Sequence, residues 1–241
     1  MFKIEQAQID ELRRFAFISD KEIRSDLCRG YIKDENDYTS NFTGALRRNI
    51  NSYSKTGLKA TSILLGSSQE RLVGCDAAII ICSQGQSKVS VFEAKWPRME
   101  TNYYRWDYPQ TATGLSHFSD QLARQTKYHE FIAIFEIFYC EFMPYEQPKY
   151  MQNEVSSCVW HSQAESYKNE RSEPDSIWDH DDVKSLLENG SVDIGEIIEK
   201  ICLCREGSPT PMTDPEMIAG QFQLPENVLF VEASERSNKE N

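Results

Sequence analysis

Near the start of the chain, Ile9, Leu12, Phe15 and Ala16 recur at helical spacing, and Asp20 is placed to open a second, turn-rich segment stopping at Gly30. A polar stretch, residues 33–40, feeds another helix with Phe42, Ala45, Leu46 and Ile50 on one face. Arg47 and Arg48 fall near the expected C-terminal end of that helix, where the dipole favours cations. The period then shortens. Strand-like runs cover residues 61–65, 72–82 and 88–96, the last two joined by a polar loop of hairpin length around Gly85. After Pro97 the chain is irregular and aromatic. A helix over about residues 115–130 then leads into a fourth strand, 131–139. Beyond Pro144 the pattern weakens to an edge strand at 155–161, helices at 182–188 and 194–204, a last short strand at 227–231 and a frayed polar tail from 234.

The order helix, three strands, helix, strand predicts a mixed α/β architecture. A three-stranded meander, a crossover helix and a returning strand would form one mixed sheet with helices on its faces. The chain divides on this reading into an N-terminal helical segment, 1–30, a core, 31–143, and a C-terminal extension, 144–241, packing on that core. There is no internal repeat and no low-complexity tract.

Composition adds three constraints. A chain of 241 residues can bury a sizeable core, and no apolar run is long enough to cross a bilayer. The segment from Met1 to Gln6 has no apolar signal core, so an intracellular, cytoplasmic protein is expected, with no membrane partner. The seven cysteines suit that compartment: Cys75, Cys82, Cys140 and Cys158 lie in apolar runs as buried free thiols. Cys202 and Cys204 stand only two apart and no well-spaced Cys/His set exists, so a structural zinc site is not expected.

The net charge of −12 argues at first against nucleic acid, but it is unevenly spread. Residues 1–130 hold 18 Lys and Arg against 16 Asp and Glu, a net of +2, and residues 131–241 hold 8 against 22, a net of −14. The acidity lies in the second half, which leaves room for a local basic surface in the first.

The chemistry concentrates in the second and third strand-like runs. Asp76 follows Gly74 and Cys75 within the second run, while Glu93 and Lys95 are two apart on the third and so project from one face. A hairpin between these strands would set Asp76 beside Glu93. Two carboxylates and an ammonium among buried strands are costly unless paired or bound to a metal. Hard oxygen ligands suit Mg²⁺, which would lower the pKa of a bound water and neutralise a scissile phosphate. Lys95 is placed to orient the attacking water or to stabilise transition-state charge. A cross-strand salt bridge on a wet face would explain the same residues without catalysis. The near-continuous apolar character of both strands favours burial instead.

The Gly74-Cys75-Asp76 element, the hairpin and Glu93-Ala94-Lys95 together resemble the signature of the PD-(D/E)XK, restriction-endonuclease-like nucleases. The resemblance spans residues 35–139 and includes that family's αβββαβ order of elements. It departs in one respect, since Gly74-Cys75 and not a proline precedes Asp76. The resemblance implies a DNA phosphodiesterase, RNA being the less expected substrate, using Mg²⁺ with Mn²⁺ able to substitute. Asp76 and Glu93 would be metal ligands, joined by the carbonyl of Ala94, and Lys95 the catalytic lysine. An acid on the first core helix, Glu35 or Asp37, would face the metal, although acids at a helix start also serve as caps. Gln121, Gln125 and Tyr128 resemble the helix motif of the exonuclease branch, with Gln121 placed to touch phosphate or lysine. Two glutamines on a wet helix face would look the same. His117 and His129 flank that helix and read as incidental.

For phosphate contact the candidates are Arg47, Arg48, Arg98, Arg124 and Lys127, with Lys55, Lys59 and Arg105 behind them. Tyr103, Tyr104 and Trp106 read as core or lid packing before base stacking. A homodimer or a partner subunit would supply affinity that the acidic chain lacks. The alternative is a catalytically silent nuclease-fold protein that binds a basic partner, or mimics DNA, through its acidic C-terminal half. No Gly-rich phosphate loop, GxSxG elbow, HExxH helix or dinucleotide fingerprint supports another enzyme class.

Overall fold

The structure, a computed structural model, describes residues 2–64, 74–97, 106–143, 145, 146 and 148–234. Helices α1 (Gln6–Cys28) and α2 (Glu35–Tyr53) precede strands β1 (Leu58–Leu64), β2 (Ala77–Ser83) and β3 (Gln86–Lys95). Helix α3 (His117–Gln125) then crosses to β4 (Ala133–Phe138) and β5 (Ser157–Trp160). Helices α4 (His161–Glu170), α5 (His180–Glu188), α6 (Ile194–Cys202) and α7 (Pro215–Phe222) lead to a final strand, β6 (Asn227–Ala233). The result is a mixed α/β fold on a six-stranded sheet of order β1-β6-β2-β3-β4-β5.

Two local expectations change. Asp20 does not open a new segment: residues 6–28 contain no Gly or Pro, so the helix runs through it, with Ile23 and Leu27 extending the apolar face. Helix α3 is shorter than its pattern, ending at Gln125 because the ring of His129 takes the Thr126 carbonyl, with Nδ1 2.6 Å away.

The larger correction concerns strand order. No three-stranded meander forms, because β6 lies between β1 and β2, antiparallel to the first and parallel to the second. Strand β1 exposes much of one face, as an edge strand should, whereas β2 is buried almost throughout and needs a neighbour on each side. Val228, Leu229, Phe230 and Val231 supply one. Residues beyond 143 thus contribute two of the six strands, the expected edge strand β5 and the inserted β6.

The hairpin joining β2 and β3 turns through Gln84 and Gly85, with φ of 49° and 76°, the left-handed pair that matches strand twist. Helices α1, α2 and α6 cover one face of the sheet, around Phe42, Phe92 and Phe135. Helices α3, α4 and α5 cover the other over Phe138 and Val159, and α7 seals it over Ile80, Val91 and Phe230. Each such aromatic or aliphatic side chain, once buried, contributes about 1.5–3 kcal/mol. Buried Asp107 ties the second layer together, accepting from the Ser116 hydroxyl and from the N–H groups of Phe118 and Trp178.

Candidate functional site

The charged residues meet at the end of the sheet where β3 and β4 finish and β2 begins. Asp76 sits one residue before β2, not within it; its N–H donates to the Phe92 carbonyl at 2.9 Å. Its Oδ2 accepts from the Ala94 N–H at 2.8 Å, so Ala94 meets the acid through its amide rather than its carbonyl. Phe92 and Ala94 point into the first core layer, and Glu93 and Lys95 therefore project from the other face. There the Lys95 ammonium lies 2.8 Å from Glu93 Oε1 and donates to Gln121 Oε1 at 2.6 Å. The Gln121 amide in turn donates to Glu93 Oε1. The ion pair is nearly sealed, its side chains 9% and 8% exposed, which rules out the wet-face salt bridge.

Burial raises the Glu93 carboxyl above its ordinary value, against the pull of Lys95. Burial by itself would lower the Lys95 ammonium, but the charge of Glu93, followed by that of Glu35, holds it above its ordinary value. The lysine is therefore charged throughout the physiological range.

The acids at the start of α2 separate into two roles. Asp34 is the cap, accepting from the Asp37 N–H at 2.8 Å, and Asp37 accepts from the Lys33 N–H and the Asn41 amide. Glu35 instead reaches across to the Trp96 N–H at 3.0 Å, one residue past Lys95. The Trp96 indole donates to Glu141 at 2.7 Å.

Helix α3 lays Gln121 and Gln125 inward, both buried, so its polar face is not a wet one. Tyr128 packs on the second core layer. The Gln125 amide donates to the Cys75 thiol at 3.4 Å while its carbonyl meets His161 Nδ1 at 3.1 Å. His161 is buried, its pKa lowered to about 4 by desolvation against the opposing charge of Glu165.

One member of the cluster escaped the pattern reading. Glu136 on β4 stands opposite Glu93 in the parallel register and is fully buried. Neither of its oxygens has a hydrogen-bond partner of ordinary geometry among the described residues, the Gln125 amide being the donor that faces it. Burial pushes its carboxyl well above the ordinary value; Lys95 pulls it down, while Glu93 and Asp76 push it further up. A lone acid within Ala133-Ile134-Phe135-Glu136-Ile137-Phe138 was a signal of the same kind as Asp76.

The cations scatter. The Arg124 guanidinium packs on Gly74, two residues from Asp76, where an added Cβ would come within 3.1 Å of it, and Asp120 pairs with it at 3.1 Å. Lys127 is exposed in the turn after α3. Arg47 and Arg48 lie outside the last turn of α2, which continues to Tyr53, and so do not meet its C-terminal dipole as expected. At 1.5 Å per residue they stand about 18 Å along the helix from Glu35. Lys55 and Lys59 are exposed at the opposite end of the sheet, since β1 starts beside Ala233 and ends beside Asn227. Trp106 is core, edge-on to Phe138 at 5.5 Å. Arg98, Tyr103, Tyr104 and Arg105, and the part of the second strand-like run before Gly74, lie outside the described residues.

Among the described residues no three His, Cys, Asp or Glu side chains form a ready-made cation cage, and no helix is long and apolar enough to cross a membrane. The donors gathered at the site are carboxylate oxygens, the class that hard divalent cations prefer. Compared with known families, curated proteins and solved structures, the chain matches none.

Proposed function

We infer that this chain is a Mg²⁺-dependent nuclease acting on DNA, of the PD-(D/E)XK type that its Asp76, Glu93-Ala94-Lys95 pattern resembles. The observation that carries the reading is the gathering of Asp76, Glu93, Lys95, Gln121 and Glu35 at one end of the sheet. Four acids, Glu35, Asp76, Glu93 and Glu136, gather around one ammonium there, more carboxyl groups than that ammonium can pair, and a divalent cation would favour their ionised forms. That no full cage stands among the described residues is compatible with Mg²⁺, which keeps several waters and takes only one or two carboxylates. Asp76 and Glu93 would hold it, and when bound it would supply a more acidic water and charge neutralisation at phosphorus. Gln121 fixes the Lys95 stem, so that the ammonium is aimed before substrate arrives. Arg124 on Gly74 is the described cation best placed to meet a flanking phosphate.

The test is cleavage of supercoiled, linear and single-stranded DNA by the wild type and by Glu93→Ala, in Mg²⁺, Mn²⁺ or EDTA. Metal-dependent cleavage by the wild type alone supports the reading, and equal cleavage by Glu93→Ala sinks it. A second reading has one observation in its favour: Glu93, Lys95 and Gln121 already satisfy one another. A silent nuclease fold would then act through the acidic residues of 131–241 on a basic partner. A wild type that never cleaves but retains a basic protein would favour it.

A further inference from the structure

The Glu136 carboxyl has no packing reason to be where it is. It stands in the middle of an apolar strand, fully buried, with neither oxygen hydrogen-bonded among the described residues. A buried carboxyl in that state costs free energy that a glutamine or a leucine would not. Its presence calls for a role outside packing.

The surroundings supply one. Glu136 pairs in register with Glu93, and Lys95 is the diagonal neighbour two residues on, next to Phe138. Diagonal neighbours on one face come within reach of a long side chain. On the other side the Gln125 amide is held by His161 and Cys75, so that its nitrogen end faces the acid. At present Glu93 Oε1 accepts from both Lys95 and Gln121. A cation drawn to Glu93 would compete with both donors, and a lysine without a second anion would be left as a lone buried charge.

We propose that Glu136 is a positioning residue of this site, the carboxyl to which the Lys95 ammonium turns when a divalent cation engages Glu93. This role rests on the cation-dependent nuclease reading of the same site. It explains why an acid occupies β4 with neither oxygen hydrogen-bonded among the described residues: its partner arrives only in the loaded state. The lysine thereby keeps both its charge and its aim.

The test uses the full chain as wild type, Glu136→Gln, Glu136→Asp and Glu93→Gln. Two quantities are read: the Lys95 ammonium NMR resonance, assigned with Lys95→Arg, during titration with MgCl₂, and the cleavage rate of linear DNA. The expected result is a Mg²⁺-dependent shift of that resonance in the wild type that is lost in Glu136→Gln. The variant should fold normally, with kcat down about tenfold or more at nearly unchanged KM, as for residues that orient a catalytic group. Glu136→Asp should recover part of both signals. A Glu136→Gln variant that shifts and cleaves like the wild type overturns the role of Glu136 while leaving the nuclease reading intact. A wild type that neither responds to Mg²⁺ nor cleaves overturns both, as does a Glu93→Gln variant that behaves like the wild type.

Discussion

Asp20 on α1 and Glu136 on β4 are both fully buried acids, and their surroundings differ in kind. Burial raises both above the ordinary value. Asp20 is surrounded by donors: the Tyr38 hydroxyl, the Ser156 N–H at 2.6 Å and the Ser156 hydroxyl at 2.8 Å. It fastens α1 to α2 and to the chain entering β5, which is a structural task. Among the described residues Glu136 has no such set of donors, only the facing Gln125 amide, and it lies near a lysine already committed to Glu93. A satisfied buried acid holds a fold together; an unsatisfied one beside a charged pair is a cost that packing alone does not explain.

The comparison can be broken first at Asp20. Replacing it with Ala leaves a tyrosine hydroxyl, a serine hydroxyl and a backbone N–H unpaired, a loss of about 3 kcal/mol or more in urea unfolding. Cleavage per folded molecule should be unchanged, and a variant with wild-type stability would contradict the structural role. Next comes His161, which bridges the C-terminal half and Gln125. Its pKa is about 4 when folded against an ordinary 6.5, so between those values the unfolded chain binds a proton that the folded chain refuses. Its contribution is therefore whole above pH 6.5 and is lost as the pH falls toward 4, by up to about 3 kcal/mol. Urea midpoints at pH 7 and pH 4.5 should fall more in the wild type than in His161→Gln, and parallel falls would remove histidine from the account.

Smaller and opposite in sign, Glu136→Gln should gain about 1 kcal/mol of stability, since it removes an unpartnered buried acid. A clear loss by calorimetry would mean that Glu136 is structural after all, like Asp20. An effect of similar size but opposite sign is expected at Gly74, whose φ of 68° and close contact with Arg124 both disfavour a side chain. Gly74→Ala should cost about 1 kcal/mol and weaken DNA binding by displacing Arg124. Salt-dependent affinity equal to that of the wild type would remove Arg124 from the binding surface.

What the sequence disclosed follows from what is local. The hairpin and its charges were legible because Asp76 borders one apolar strand while Glu93 and Lys95 interrupt the next. Glu136 interrupts one too, and only the absence of a familiar spacing hid it. Helix α7 begins with Asp214 as cap and Pro215 in the first turn, a readable start that the weak pattern around it obscured. Helix α4 buries only His161 and Ala164, too little to print an apolar face. The insertion of β6 was not legible at all, because pairing between strands distant in sequence leaves no local trace. Glu35 and Asp37 differ only in phase on the helix, and the contact with Trp96 was needed to tell the acid that reaches the end of β3 from the one that bonds locally to Lys33 and Asn41.

The central claim, that the sheet end holds reactive chemistry and not a sealed salt bridge, is tested most directly by the Mg²⁺-dependent cleavage rate of Lys95→Ala beside the wild type. Both should be checked for folding by circular dichroism. The account predicts wild-type cleavage that EDTA abolishes and a fall of about 100-fold or more in the variant, the loss expected when one stabilising charge is removed. A folded Lys95→Ala that cleaves at the wild-type rate would contradict it.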